Sequence, residues 1–330
     1  MLHKLSTLSQ PRLGPPSVLR PTEAGTASLG ISQVVLHRDG LAYLAEGPKG
    51  RAVRGQDSSG GLSTLWSVPE HAQVLALYSS GQNLLVHAII SGKAQVVLTH
   101  TERAPVHVPG AALALSGDSQ SLLIADLARK VWVQVHLNPQ DGFQPIDVAP
   151  LRFGAHEQLT PTVSLDATGA CAVVMEVELG RVHLVHLDLQ TGVRSPVIEG
   201  LPEPSWAQGT FAPGGGLVVQ EMVHDFSRRY RLLRFAPGKP AVTLYSSPHA
   251  QPTVAPVFLD KAWMVLPLVL EAQSLTGTGP VDLIAIPMAG GSQVRLTNSG
   301  DMNGRVGVAA GDVWVQSGPE LRVFSRRSAV

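Results

Sequence analysis

The sequence predicts an all-β protein, and three observations lead to that fold class. Apolar residues lie in short runs rich in valine and leucine, and one strand–turn–strand pattern recurs along the chain. Gly and Pro interrupt most stretches long enough for a helix, with 33 Gly and 25 Pro among 330 residues. We therefore expect strands along most of the chain and little helix.

The stretch 171–192, CAVVMEVELGRVHLVHLDLQTG, shows the local pattern. Its four charged residues exclude a membrane helix, because each would cost several kcal/mol in hydrocarbon. A soluble helix is disfavoured because its valines would fall on all sides. We interpret the stretch as a hairpin that turns at Leu179-Gly180-Arg181. Its strands are apolar on both faces and must be covered on both sides, as in the stacked blades of a β-propeller.

A propeller requires a repeat, and seven strand–turn–strand units are present. Their turns lie about 38 to 51 residues apart, close to the roughly 40 to 50 residues of a four-stranded blade. The units are VVLHRDGLAYLAEG, LALYSSGQNLLVHAII, LALSGDSQSLLIADLA, TVSLDATGACAVVMEVE, GTFAPGGGLVVQEMV, PVFLDKAWMVLPLVL and VGVAAGDVWVQSG. We predict a single β-propeller, with seven blades of four antiparallel strands.

The seventh unit ends without a fourth strand, so another segment has to close the ring. We expect HKLSTLSQ, residues 3–10, to pair there as the outer strand, with residues 11–28 as a connector. In the alternative, the ring has six full blades and a partial one, and residues 1–28 are a tail. Either way, residues 1–28 are an N-terminal segment and residues 29–330 form the propeller domain.

The units resemble degenerate copies of the TolB-type propeller repeat, a relative of the WD repeat. The family's Ser-Pro-Asp-Gly turn is matched in part at His37–Gly40, Ser116–Ser119, Asp166–Gly169 and Ala212–Gly215. The turns LQTG and MAGG after third strands resemble the family more closely. The resemblance implies an architecture and no single reaction, because such propellers serve as interaction platforms, as lids of prolyl oligopeptidase-like enzymes and as lyases.

Composition and charge exclude several functions. Acidic and basic residues balance at 25 each, so no global field would attract a membrane or nucleic acid, and neither is an expected partner. Cys171 is the one cysteine, which excludes an intramolecular disulfide. The N-terminus lacks the apolar run of a secretory signal, so we expect a cytoplasmic protein. The sequence contains neither a phosphate-binding loop nor a nucleophile elbow.

A recurring His or Trp, any residue, then Gln stands before the innermost strands. These positions begin at His71, His156, Trp206 and His249. Loops that enter innermost strands meet at one mouth of the central channel, so the four residues are candidates for a ligand or peptide site there. A divalent metal would suit them too, with a loose resemblance to oligogalacturonate-type propeller lyases, in which histidines and a glutamine hold manganese. Hydrogen bonding of loop ends is the plain alternative.

Two charge features complete the candidates. The run from His224 to Arg231 is basic with interleaved aromatics, and its Arg228 and Arg229 suit either an acidic partner or a solvated hairpin loop. Glu176 and Glu178 share a strand face, as paired catalytic carboxylates do, but we expect them on a solvated rim.

The sequence therefore favours a non-catalytic module that binds a protein or peptide at the channel mouth, without a cofactor. The alternative is an enzyme, a lyase or hydrolase acting on a saccharide or peptide at the same mouth. A bound divalent metal would favour that alternative.

Overall fold

The structure is a computed structural model of the 330-residue chain. It describes residues 10–21, 30–48, 50–80, 83–100, 103–111, 113–137, 143–152, 162–202, 204–224, 228–248, 251, 254–269, 280–302, 304–309, 312–317 and 320–327. These residues form 28 strands and no helix. The strands make seven four-stranded antiparallel sheets, arranged as the blades of a β-propeller. The predicted fold class is confirmed.

The first six blades follow the chain, each with its innermost strand first. Blade 1 contains β2 (Gly30–His37), β3 (Gly40–Gly47), β4 (Gly50–Gln56) and β5 (Leu62–Val68). Blade 2 contains β6 (Ala72–Ser80), β7 (Asn83–Ile90), β8 (Lys93–His100) and β9 (Arg103–Pro109). Blade 3 contains β10 (Leu113–Leu115), β11 (Ser121–Asp126), β12 (Val131–His136) and β13 (Pro145–Pro150). Blade 4 contains β14 (Val163–Leu165), β15 (Cys171–Glu178), β16 (Arg181–Asp188) and β17 (Arg194–Pro202). Blade 5 contains β18 (Trp206–Phe211), β19 (Leu217–His224), β20 (Arg228–Phe235) and β21 (Val242–Ser247). Blade 6 contains β22 (Val257–Phe258), β23 (Trp263–Val269), β24 (Val281–Pro287) and β25 (Val294–Arg295).

The seventh blade joins the two ends of the chain. It contains β26 (Val306–Ala309), β27 (Asp312–Ser317), β28 (Glu320–Arg327) and, as its outer strand, β1 (Arg12–Leu19). The ring therefore has seven four-stranded blades, and the six-blade alternative is wrong.

The closing strand is not the segment that the sequence indicated. β1 lies in residues 12–19, which were assigned to the connector, whereas residues 1–9 fall outside the described part of the chain. Two prolines, Pro15 and Pro16, made the segment look like a linker. An outer strand has one unpaired edge, where a missing N–H donor costs little, and the pairing register shifts between Leu13 and Pro16.

The core lies between blades, as the strands with two apolar faces require. Strand β15 is buried from Ala172 to Val177. Val174 packs into a cluster shared with the third blade, and Val173 packs on the opposite side into a cluster shared with the fifth. The interpretation of residues 171–192 as a hairpin covered on both sides is confirmed.

Side-chain amides add polar links between neighbouring blades. Asn83 donates to the Leu137 carbonyl at 3.1 Å, Gln134 to the Gly169 carbonyl at 2.9 Å, and Gln220 to the Val254 carbonyl at 3.0 Å. Each bond satisfies a backbone acceptor at a blade boundary and helps to fix the register of adjacent blades.

Within the described ranges, no helix is long and apolar enough to cross a membrane.

Candidate functional site

The structure describes two of the four residues predicted at the channel mouth. His71 is exposed in the turn before β6 of the second blade, and Trp206 is the half-buried first residue of β18 in the fifth blade. The third and fourth blades lie between their blades in the ring. His156 and His249 lie outside the described residues, and a site shared by all four stays a prediction.

One glutamine of the same pattern has a structural task. Gln251 is buried, and its Nε2 donates to Ser247 Oγ at 3.1 Å and to the Val269 carbonyl at 3.0 Å. Its Oε1 accepts from the Val269 backbone N–H at 2.7 Å. Gln251 therefore links the end of the fifth blade to the sixth by hydrogen bonds. This is the role in loop-end hydrogen bonding that the sequence left open as the alternative to ligand binding.

The basic run lies at the same end of the fifth blade as Trp206. Trp206 pairs with Met222 on β19, and Met222 pairs with Tyr230 on β20. One and two residues before Tyr230 come Arg229, which is exposed, and Arg228, the first residue of β20. Sequence reasoning treated Trp206 and these arginines as two separate candidate sites, but the register places them on one edge.

The hairpin of the fourth blade reaches the same end of the molecule. Its two-residue turn is Leu179-Gly180, and Arg181 begins β16 opposite Pro202 at the end of β17. Only residues 203–205 separate Pro202 from Trp206. The tip of this hairpin is therefore next to the edge that carries Trp206 and the arginines.

Leu179 combines a fully exposed side chain with a backbone conformation that leucine disfavours. Its side chain is fully exposed, and its φ of 50° lies in the left-handed region that disfavours side chains other than those of Gly, Asn and Asp. Gly180 also has a positive φ, 73°, so both turn residues match the type I′ geometry that favours Asn-Gly. Sequence reasoning located this turn without noting that leucine is an unusual choice for its first position.

A buried acid organises the arginines behind this edge. Glu221 is almost fully buried, lies between Ala207 and Arg231 in the sheet register, and forms an ion pair with Arg231. Burial raises the pKa of Glu221, and the charges of Arg231 and Arg229 oppose that rise. The charge of Arg231 is therefore compensated by Glu221.

We call the exposed part of this region the blade 4–5 surface and define it as Leu179, Arg181, Trp206 and Arg229. Arg181 is exposed, and its Nη1 donates to the Gly200 carbonyl at 2.9 Å. Trp206 packs against the apolar cluster between the two blades, which restricts its ring. The surface thus combines an apolar tip, a supported aromatic ring and cationic side chains.

The two remaining candidates are the carboxylate of Glu176 and a metal site. Glu176 is buried and ion-paired with Arg194 at 2.9 Å, so its predicted place on a solvated rim is wrong. Arg194 reaches it from the adjacent strand β17, and the pair compensates for the buried charge. In the part of the chain that the structure describes, no group of three or more His, Cys, Asp or Glu side chains is placed to hold a metal ion.

No protein-family model and no curated protein matches the chain. Among solved structures, it is similar to an oligogalacturonate lyase in complex with manganese, with a TM-score of 0.57 and 10% identity over 97% of this chain and 99% of the other. A virginiamycin B lyase from Staphylococcus aureus matches with a TM-score of 0.58 and 10% identity over 96% and 99%. TolB from Acinetobacter baumannii matches at 0.44, with 12% identity over 80% and 65%. The distant propeller resemblance is confirmed at the level of the fold.

Proposed function

We propose that this propeller is a non-catalytic binding module whose blade 4–5 surface docks an acidic, partly apolar segment of a protein partner. The observation that carries the proposal is Leu179, an apolar side chain held fully exposed in a backbone conformation that leucine disfavours. A contact outside the chain would account for a residue that costs the fold stability and gains no packing within it. The proposal moves the predicted contact from the channel mouth to a neighbouring edge, and Trp206 belongs to both.

The side chains suit such a partner chemically. Trp and Arg are enriched among residues that dominate interface energies, because a large ring and a planar guanidinium each make many contacts with few rotatable bonds. Trp206 is held from below by the apolar cluster between the blades. Its ring would therefore lose little freedom on binding.

The cationic side chains of the surface suit carboxylates, although the exposed Glu178 lies opposite Arg181 in the hairpin. Arg181 and Arg229 are exposed, and guanidinium groups bind carboxylates through paired hydrogen bonds. Because exposed charges are screened by salt, affinity for an acidic partner should fall as ionic strength rises from about 0.05 to 0.5 M. A purely apolar contact would not weaken in this way.

The test is a pull-down of the partner from native lysate with three variants of the chain. Leu179→Asp places a negative charge on the apolar tip, and Arg229→Glu reverses a charge on the edge. Val193→Asp is the matched control, because Val193 is 60% exposed in the turn between β16 and β17, at the opposite end of the same blade.

We expect the first two variants to lose at least about 90% of the captured partner, as for residues worth 1.4 kcal/mol or more, and the control to retain it. Retention by Leu179→Asp and Arg229→Glu would refute the proposed surface. A stoichiometric transition metal in the purified protein would instead support the enzyme alternative.

A further inference from the structure

Two adjoining cavities open at the end of the first blade where β2 turns into β3. Their volumes are about 590 and 280 Å³, and both are lined by Arg38, Asp39, Leu41, Gln56 and Asp57. The larger one extends to Ser79 on β6 of the second blade. We call the two together the blade 1 cavity. It lies at the opposite end of the blades from the Leu179-Gly180 turn, since that turn joins the second and third strands of its blade and this one joins the first and second.

A close backbone approach forms one wall of the blade 1 cavity. A Cβ atom at Gly40 would lie only 1.9 Å from the Gln56 carbonyl oxygen and 2.9 Å from the Asp57 Cα atom, so glycine is required there. This approach brings Asp39, the residue before Gly40, close to Asp57. Ser58 connects the two carboxylates, since its Oγ donates to Asp39 Oδ2 at 2.9 Å.

Both carboxylates are exposed and able to accept hydrogen bonds from a ligand. The Ser59 hydroxyl and the backbone N–H groups of Gly61 and Ser59 donate to Asp57, and these bonds lower the pKa of its carboxyl. Asp39 accepts one side-chain bond among the described residues, whereas a carboxylate can accept about four. This wall therefore carries negative charge and unused acceptor positions at pH 7.

His37 is a buried side chain that faces the same cavity, whose smaller part it lines. Its Nδ1 lies 3.0 Å from Ser79 Oγ, and no described residue bonds to its Nε2. Burial, together with the charge of Arg38, lowers the pKa of His37 to about 4, so the imidazole is neutral at pH 7. When Nδ1 donates to Ser79, Nε2 is an acceptor. Two carboxylates and this nitrogen match the three N–H donors of a primary ammonium group.

The rest of the lining is cationic or apolar. Arg38 is exposed and lines both parts of the cavity, and a guanidinium binds a carboxylate through paired hydrogen bonds. The apolar lining is made of leucine side chains: Leu19, Leu36, Leu41, Leu62 and Leu65. The cavity thus offers acceptors for an ammonium group, donors for a carboxylate and an aliphatic wall, the mixture of a few polar groups and apolar surface that is typical of small-ligand sites.

From these placements we infer that the blade 1 cavity binds a free α-amino acid with an aliphatic side chain. The ammonium group would donate to Asp39, Asp57 and His37 Nε2, the carboxylate would pair with Arg38, and the side chain would pack on the leucines. This site is independent of the proposed protein-binding function, since it uses none of the residues of the blade 4–5 surface.

The test is a ligand-observed NMR titration of the full chain with L-leucine, with leucinamide, which lacks the carboxylate, and with N-acetyl-L-leucine, which lacks the ammonium group. We expect saturable L-leucine binding with a Kd on the order of 1 mM, and weaker binding of both analogues. Asp39→Asn should weaken L-leucine binding at least about tenfold, since it removes a charge-assisted hydrogen bond. Arg38→Gln should reduce L-leucine binding to the level of leucinamide while leaving leucinamide binding unchanged.

Asp118→Asn is the matched control, because Asp118 is exposed in the corresponding turn of the third blade and also accepts from a serine hydroxyl. It should bind L-leucine like the wild type. If Asp39→Asn does not fold, the Arg38→Gln comparison decides alone. The inference would be overturned by a lack of saturable L-leucine binding, by equally tight binding of leucinamide and L-leucine, or by equal L-leucine binding in the wild type, Asp39→Asn and Arg38→Gln.

Discussion

Leu179 shows how one residue can oppose its local structure. The turn Leu179-Gly180 has positive φ at both positions, and asparagine would occupy the first with less strain than leucine. We expect Leu179→Asn to raise the free energy of unfolding by about 0.5 to 1 kcal/mol while weakening partner binding. Urea denaturation measures the first effect and a pull-down the second. Lower stability with unchanged binding would mean that leucine serves the fold.

His37 makes a pH-dependent contribution to stability. It is 7% exposed, its Nδ1 lies 3.0 Å from Ser79 Oγ, and burial, together with the charge of Arg38, lowers its pKa from 6.5 to about 4. The imidazole of His37 binds a proton more readily in the unfolded chain than in the folded protein. The stability that neutral His37 contributes is therefore complete above about pH 6.5 and is lost as the pH falls through 4.

A variant without this titration should therefore lose less stability in acid. We expect the free energy of unfolding of the wild type to fall between pH 7 and pH 4 by up to roughly 3 kcal/mol more than that of His37→Gln. Urea titrations at both pH values measure the difference. Equal losses in the two proteins would show that His37 titrates normally.

At the scale of elements, the closing strand β1 is the clearest test of the ring. It covers β28, which would otherwise be an open strand edge. Deleting residues 1–20 should lower the melting temperature by several degrees and promote aggregation. Deleting residues 1–9 removes none of the β1 pairs and is the control. Equal melting curves for the 1–20 deletion and the wild type would contradict closure by this strand.

Sequence reasoning succeeded for elements whose pattern is local. The hairpin at 171–188 was predictable because valines on both faces and a Leu-Gly turn lie within one short stretch. The closing strand was misplaced because Pro15 and Pro16 indicate a linker locally, and only pairing with β28, some 300 residues away, makes them an edge strand. The pairing of Glu176 with Arg194 was missed for the same reason, since it depends on how β17 lies beside the hairpin.

At the scale of the whole molecule, the sequence repeat predicted the seven-bladed ring. The blade 4–5 surface depends instead on how two neighbouring blades are joined. Seven similar units predicted seven blades, since each unit must cover its neighbour. The blade 4–5 surface could not be predicted, because Leu179 and Trp206 reach the same end of adjacent blades only when the end of β17 leads into β18.

The most direct test of the central claim, that the blade 4–5 surface contacts a protein partner, is site-specific photo-crosslinking. p-Benzoylphenylalanine replaces Leu179 in one sample and Val193, the exposed apolar residue at the other end of the blade, in a second. After irradiation with the partner, mass spectrometry identifies the crosslinked peptides. We predict crosslinks from position 179 to an acidic segment and none from position 193. Crosslinks from position 193 alone would contradict the claim.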